Sequence, residues 1–142
     1  MAPQLFPLGP GLSVAGRLDR TDIDALAGAG VRTIINNRPD GEDPGQLPAA
    51  EARRIAEAQG IAYHHIPITA ATLSRADVDA FAAALQGAPA PVVAHCRSGT
   101  RSALLWALTR MREGGNSLSL IAEAAQHGID IASLPAVAAR LR

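Results

Sequence analysis

The sequence contains no lysine; all thirteen of its basic residues are arginine. Schiff-base catalysis, which needs a lysine amine, is therefore excluded. Cysteine occurs once, at Cys96, so no internal disulfide can form. That usage predicts a reducing compartment and a cytoplasmic protein. Aromatic residues are only 3% of the chain, so alanine, leucine, isoleucine and valine must fill its core. Charge of one sign is also lacking: the formal net charge is zero. A balanced chain gives no electrostatic footprint for a nucleic acid or an anionic membrane as partner. No basic, apolar leader resembles a signal peptide, and no apolar run is long enough to span a bilayer. Clustered His/Cys ligand sets are absent as well, so neither a metal nor another cofactor is expected.

What is present is enough for one core: 142 residues, 48% of them hydrophobic. The pattern predicts a single α/β domain over 1–142, with residues 1–10, which hold three prolines, as an irregular lead-in. Strands are expected at 12–16, 31–36, 61–66 and 91–95. Helices are expected from a capping box at Thr21–Asp24, from Pro48, from a Ser74–Asp77 cap, from Ser102, from Ser117 and from Ser133. Strands alternating with helices imply a mainly parallel sheet of about four to five strands, covered on both faces. In such sheets ligands bind beyond the carboxyl ends of the strands.

One stretch concentrates the chemistry. Pro91-Val92-Val93-Ala94-His95 reads as a buried strand, and Ser102-Ala103-Leu104-Leu105 opens a helix. Between them runs Cys96-Arg97-Ser98-Gly99-Thr100-Arg101. A loop between a strand and a helix N-terminus presents amides to an anion, and amides, helix dipole and arginines together drive a cysteine toward thiolate. Cys96 is thus the candidate nucleophile. The Arg101 fork suits bidentate binding of phosphate, sulfate or thiosulfonate oxygens. Arg97, Ser98, Gly99, Thr100 and Ser102 complete the candidate anion cradle; Ser102 is expected to cap the helix or to bond the thiolate. A second constellation is Asn36-Asn37-Arg38-Pro39-Asp40-Gly41-Glu42-Asp43. Here Arg38 is an additional anion contact, and Asp40, Glu42 or Asp43 a general acid, with Asp40 as the candidate catalytic residue. His64 and His65 alternate in a strand, so only one can face a pocket.

The segment His95 to Ser102 resembles the active loop of the protein tyrosine phosphatase and rhodanese superfamilies. From about Gly11 onward the chain is similar to one bacterial family, the phosphatase-like domain also found fused to beta-lactamase-like persulfide-metabolising hydrolases. That family is variously labelled sulfurtransferase or phosphatase. The closer match rests on Ile34–Glu42, on His65-Ile66-Pro67 and on the cysteine loop. The resemblance implies a cysteine-phosphatase-like fold, a role for His95 in orienting the loop and tuning the thiolate, and His65 as the histidine near the pocket.

Two details select the expected reaction. Four residues separate Cys96 from Arg101, where the phosphatase signature has five and the rhodanese loop commonly four. Phosphatases also supply an aspartate from an upstream loop to protonate the leaving alkoxide, and the corresponding segment, Pro67–Leu73, has no carboxylate. The expectation is therefore transfer of sulfane sulfur through a Cys96 persulfide, from thiosulfate or a persulfide to a thiol acceptor. The alternative is hydrolysis of a phosphate ester through phosphocysteine.

Overall fold

Alternation along short apolar strands determines how this chain layers. Ile34 and Val93 point into one apolar cluster, with Ile23, Leu26, Ile55 and Ala56. Their neighbours Ile35 and Ala94 point into the other, with Phe81, Leu105, Ile131 and Leu134. A strand buried on both faces needs a helical layer on each side.

The computed structural model describes residues 2–141. Its sheet comprises β1 (Phe6–Pro7), β2 (Leu12–Ala15), β3 (Thr33–Asn36), β4 (Ala62–His65) and β5 (Val92–His95), in the order β1-β2-β5-β3-β4. All pairings are parallel except β1 with β2. The helices are α1 (Arg20–Gly28), α2 (Ala49–Ala58), α3 (Arg75–Gly87), α4 (Thr100–Arg112), α5 (Ser117–Gln126) and α6 (Leu134–Arg140). Helices α1 and α2 cover the Ile34 face, and α3 to α6 supply the other. No helix among the described residues is long and apolar enough to cross a membrane. The α/β class, the mainly parallel sheet and its helical cover agree with the sequence pattern.

Three local expectations are corrected. The lead-in contains β1, with Phe6 opposite Val14 and Pro7 opposite Ser13. Proline is tolerated there because β1 is an edge strand, where a missing N–H leaves no ladder bond broken. The first capping box is built from Asp19 and Asp22 rather than Thr21 and Asp24. Helix α4 starts at Thr100 with Gly99 as its N-cap, so Ser102 lies inside the first turn. The Ser74–Asp77 box on α3 is as expected.

The arrangement places β5 between β2 and β3, with Leu12 and Thr33 both level with Val92, and Ala15 and Asn36 both level with His95. Cys96 thus leaves the sheet at its centre, at the carboxyl edge, where the segments after β2 and β3 leave beside it.

Candidate active site

The cysteine loop is tied down along the segment that ends β2 and runs on from it. Cys96 N–H donates to Ala15 O at 3.3 Å, and Arg17 N–H donates to Arg97 O at 3.2 Å. Gly99 adopts φ +96°, a left-handed conformation open to glycine at little cost. A side chain there would also press on Ile129 Cδ1, at 3.2 Å, so the turn is closed to larger residues. This turn aims Gly99 N–H at Cys96 Sγ, 3.0 Å away. The sulfur lies at the head of α4, with Cys96 wholly buried and the Gly99 amide donating to it.

Arg101, on the first turn of α4, is positioned by contacts from outside the loop. Nη1 donates to Glu42 Oε2 and to Ile68 O, each at 2.7 Å, and Nη2 donates to Glu42 Oε1 at 2.9 Å. A guanidinium has five N–H donors. The Nε–H and the second Nη2–H, which share the remaining edge, make no hydrogen bond to oxygen or nitrogen among the described residues. That edge is the bidentate one for an oxyanion. Arg101 is held above its ordinary pKa first by Glu42 and also by the proximity of Cys96. Glu42 is correspondingly held below the ordinary carboxylate range, chiefly by Arg101 and further by Arg38, against the effect of burial.

Asn37, which is completely buried, joins three elements. Its N–H donates to His95 O at 2.7 Å, its Nδ2 to Ile66 O at 3.0 Å, and its Oδ1 accepts from Ser102 Oγ at 2.8 Å. Ser102 therefore neither caps α4 nor donates to the thiolate; its hydroxyl joins α4 to the end of β3.

The remaining predicted residues fall into place as follows. Arg38 is 5% exposed and spends its guanidinium on Glu42, at 3.0 Å from Nε, and on Asp43, so it holds the acidic loop instead of meeting an anion. Asp40 Oδ1 accepts from Ala49 N at 2.8 Å and caps α2. Pro48 begins that helix without a side-chain acceptor, and Asp40 supplies one. Arg97 is largely exposed at the mouth, 3.2 Å from Asp43. Ser98 Oγ donates to Thr100 Oγ1 at 3.3 Å. His65 Nε2 lies 2.9 Å from Arg38 O. His95 is 6% exposed and its Nδ1 has no hydrogen-bond partner. Burial depresses its pKa to about 4, with the Cys96 backbone opposing and Arg38 and His65 adding to the depression. It is neutral at physiological pH.

Sequence reasoning missed the part played by Glu42, Ile68 O and Asn37. A carboxylate in the Arg38–Asp43 loop was a visible signal, but not which of three would reach Arg101.

The family model for the phosphatase-like domain of beta-lactamase hydrolase-like protein matches residues 4–113. The chain is 37% identical over 121 residues to a beta-lactamase hydrolase-like protein of Agrobacterium fabrum, which covers 84% of this chain and 28% of that protein. It thus spans little more than a quarter of that relative's length. A candidate phosphatase from Neisseria meningitidis superposes with a TM-score of 0.84 at 33% identity, covering 93% of this chain and 94% of that one. The fold is also that of P. aeruginosa TpbA, solved in complex with pTyr: TM-score 0.63, 19% identity, 95% and 90% covered.

These matches run to phosphatase-like proteins and overturn the expectation of sulfane-sulfur transfer. The physical error lies in the residue count. Spacing from cysteine to arginine does not measure the cradle, because the Arg101 head is placed by Glu42 and Ile68 O rather than by the loop. Matched by the family model over residues 4–113 and 37% identical to a relative over 84% of its own length, this chain belongs to the family of phosphatase-like domains of beta-lactamase hydrolase-like proteins.

Proposed function

We propose that the protein is a cysteine-dependent phosphomonoester hydrolase working through a phosphocysteine intermediate. The observation that carries this reading is the pairing of Cys96 Sγ, under the Gly99 amide and beside Arg101, with an Arg101 whose Nε–Nη2 edge meets no protein oxygen among the described residues. In this reading the phosphoryl oxygens bind that edge and the loop amides of Arg97 to Thr100, while Cys96 attacks phosphorus. Arg97 adds positive charge at the mouth. Glu42, with the Ile68 carbonyl, fixes the plane of Arg101; Asn37 and Ser102 hold the loop from beneath, His95 leads into it from β5, and His65 holds the Arg38 segment. Fixed donors aimed at the charge that develops are the main source of catalysis in such a site.

The test is hydrolysis of p-nitrophenyl phosphate by the purified chain, with vanadate as inhibitor. Cys96→Ser is expected to lower turnover by about 10³-fold or more while vanadate or phosphate still binds and the thermal melt is unchanged. Turnover surviving in Cys96→Ser would overturn the mechanism.

A further inference from the structure

A phosphate ester breaks easily only if its leaving oxygen is protonated as it departs or is stable as an anion. Among the described residues, the groups around this cysteine that could hold a proton are bonded to other partners or buried. Glu42 binds Arg101 through both oxygens and Arg38 through one. Asp43 spans Arg38 and Arg97. Glu42, gripped by two arginines, is held below the ordinary carboxylate range and has no proton to give. Asp40 accepts from Ala49 N. Asp22 borders, with Arg97 and Ser98, a cleft of about 300 Å³ beside the loop, but its Oδ2 accepts from Asp19 N at 2.9 Å as half of the α1 cap. Asp130, next to the Ile129 that packs on Gly99, accepts from Ala132 N at 2.9 Å. His65 is bonded to Arg38 O, and His95 is buried. The segment from β4 to α3, which reaches the site through Ile68 O, offers only hydroxyls: Thr69 and Thr72, bonded to each other at 2.8 Å, and Ser74, which donates to Asp77 Oδ2 at 3.0 Å.

We infer that this site expels its leaving group without a proton from the protein, so that its substrates are phosphate monoesters and acyl phosphates with weakly basic leaving oxygens. The inference rests on the phosphatase reading above. In the first step Cys96 Sγ forms an S–P bond as the P–O bond to the leaving group breaks. Both electrons of that bond depart on the oxygen, which takes any proton it needs from water. In the second step water attacks phosphorus, the S–P electrons return to sulfur, and the proton lost by the water passes to solvent.

The experiment is kcat/KM for a series of aryl phosphates graded in the pKa of the phenol, with an alkyl phosphate at the end. The rate is expected to fall steadily as that pKa rises, with the alkyl ester at least about 10²-fold below the least activated aryl ester, the scale of the missing proton transfer. Asp22→Asn and Asp130→Asn are expected to leave the slope as it is. A flat dependence on leaving group, or a slope that steepens in either variant, overturns the inference and leaves the phosphatase reading standing. Failure to hydrolyse any ester, with no phosphoryl adduct on Cys96 by mass, overturns both.

Discussion

Glu42 fixes the geometry of Arg101 with a two-point ion pair, both side chains being about four-fifths covered. A fork–fork contact sets the plane of the guanidinium as well as its position. Glu42→Gln keeps the shape but weakens one contact and removes the charge. Misplacing a substrate-binding group by about 1 Å can cost roughly 10²-fold. The expected loss in kcat/KM on aryl phosphates is therefore about 10–100-fold, equal for all leaving groups, because Glu42 positions and does not donate. Steady-state kinetics across the ester series checks this. His95 makes a different prediction, for stability. Its folded pKa of about 4 lies below the ordinary value of 6.5. As pH falls below about 6.5 the unfolded chain takes up a proton that the folded chain refuses. The contribution is therefore present above pH 6.5 and is lost between there and about pH 4, a loss of roughly 3 kcal/mol across that window. Urea unfolding at a series of pH values should show this decline in the wild type, and a shallower one in His95→Gln.

Among the elements, helix α2 carries a cap borrowed from a distance. Asp40→Ala removes the acceptor for Ala49 N and is expected to lower stability by about 1 kcal/mol without changing the rate on aryl phosphates; thermal melts and kinetics on one preparation separate the two. This case also shows where reading a sequence stops. The Ser74–Asp77 box on α3 was legible because one pair fits the pattern there. Before α1 two pairs fit, Asp19–Asp22 and Thr21–Asp24, and only the entry path of the backbone selects the first. Asp40, Glu42 and Asp43 are alike as letters, yet one caps a helix and two bind arginines. The contact of Glu42 with Arg101 joins positions far apart in sequence, so no local pattern announces it. Strand β1 escaped notice because prolines ordinarily argue against strands, and the edge position that admits Pro7 exists only once the sheet is formed.

For the molecule as a whole, the layer architecture and the place of Cys96 at a strand's carboxyl end were legible, because period-two burial and the run into a helix are local signals. The reaction was not, because it depends on how distant loops set one arginine. The position of β5 has a further consequence, for the order of assembly. Strands β2 and β3 do not pair with each other; each waits for β5, which follows both in the chain. Without β5 the sheet is two separate halves, β1 with β2 and β3 with β4. Such pairing between distant segments is slow and comes late. Pairing of β5 also brings Ala15 O to Cys96 N and Asn37 to His95 O, so the nucleophile acquires its setting in the same event that completes the core. A half-folded chain has no working site. Amide hydrogen exchange should accordingly show the β5 amides opening only with global unfolding, and refolding followed by tryptophan fluorescence at Trp106 should regain structure and aryl phosphate turnover at one rate.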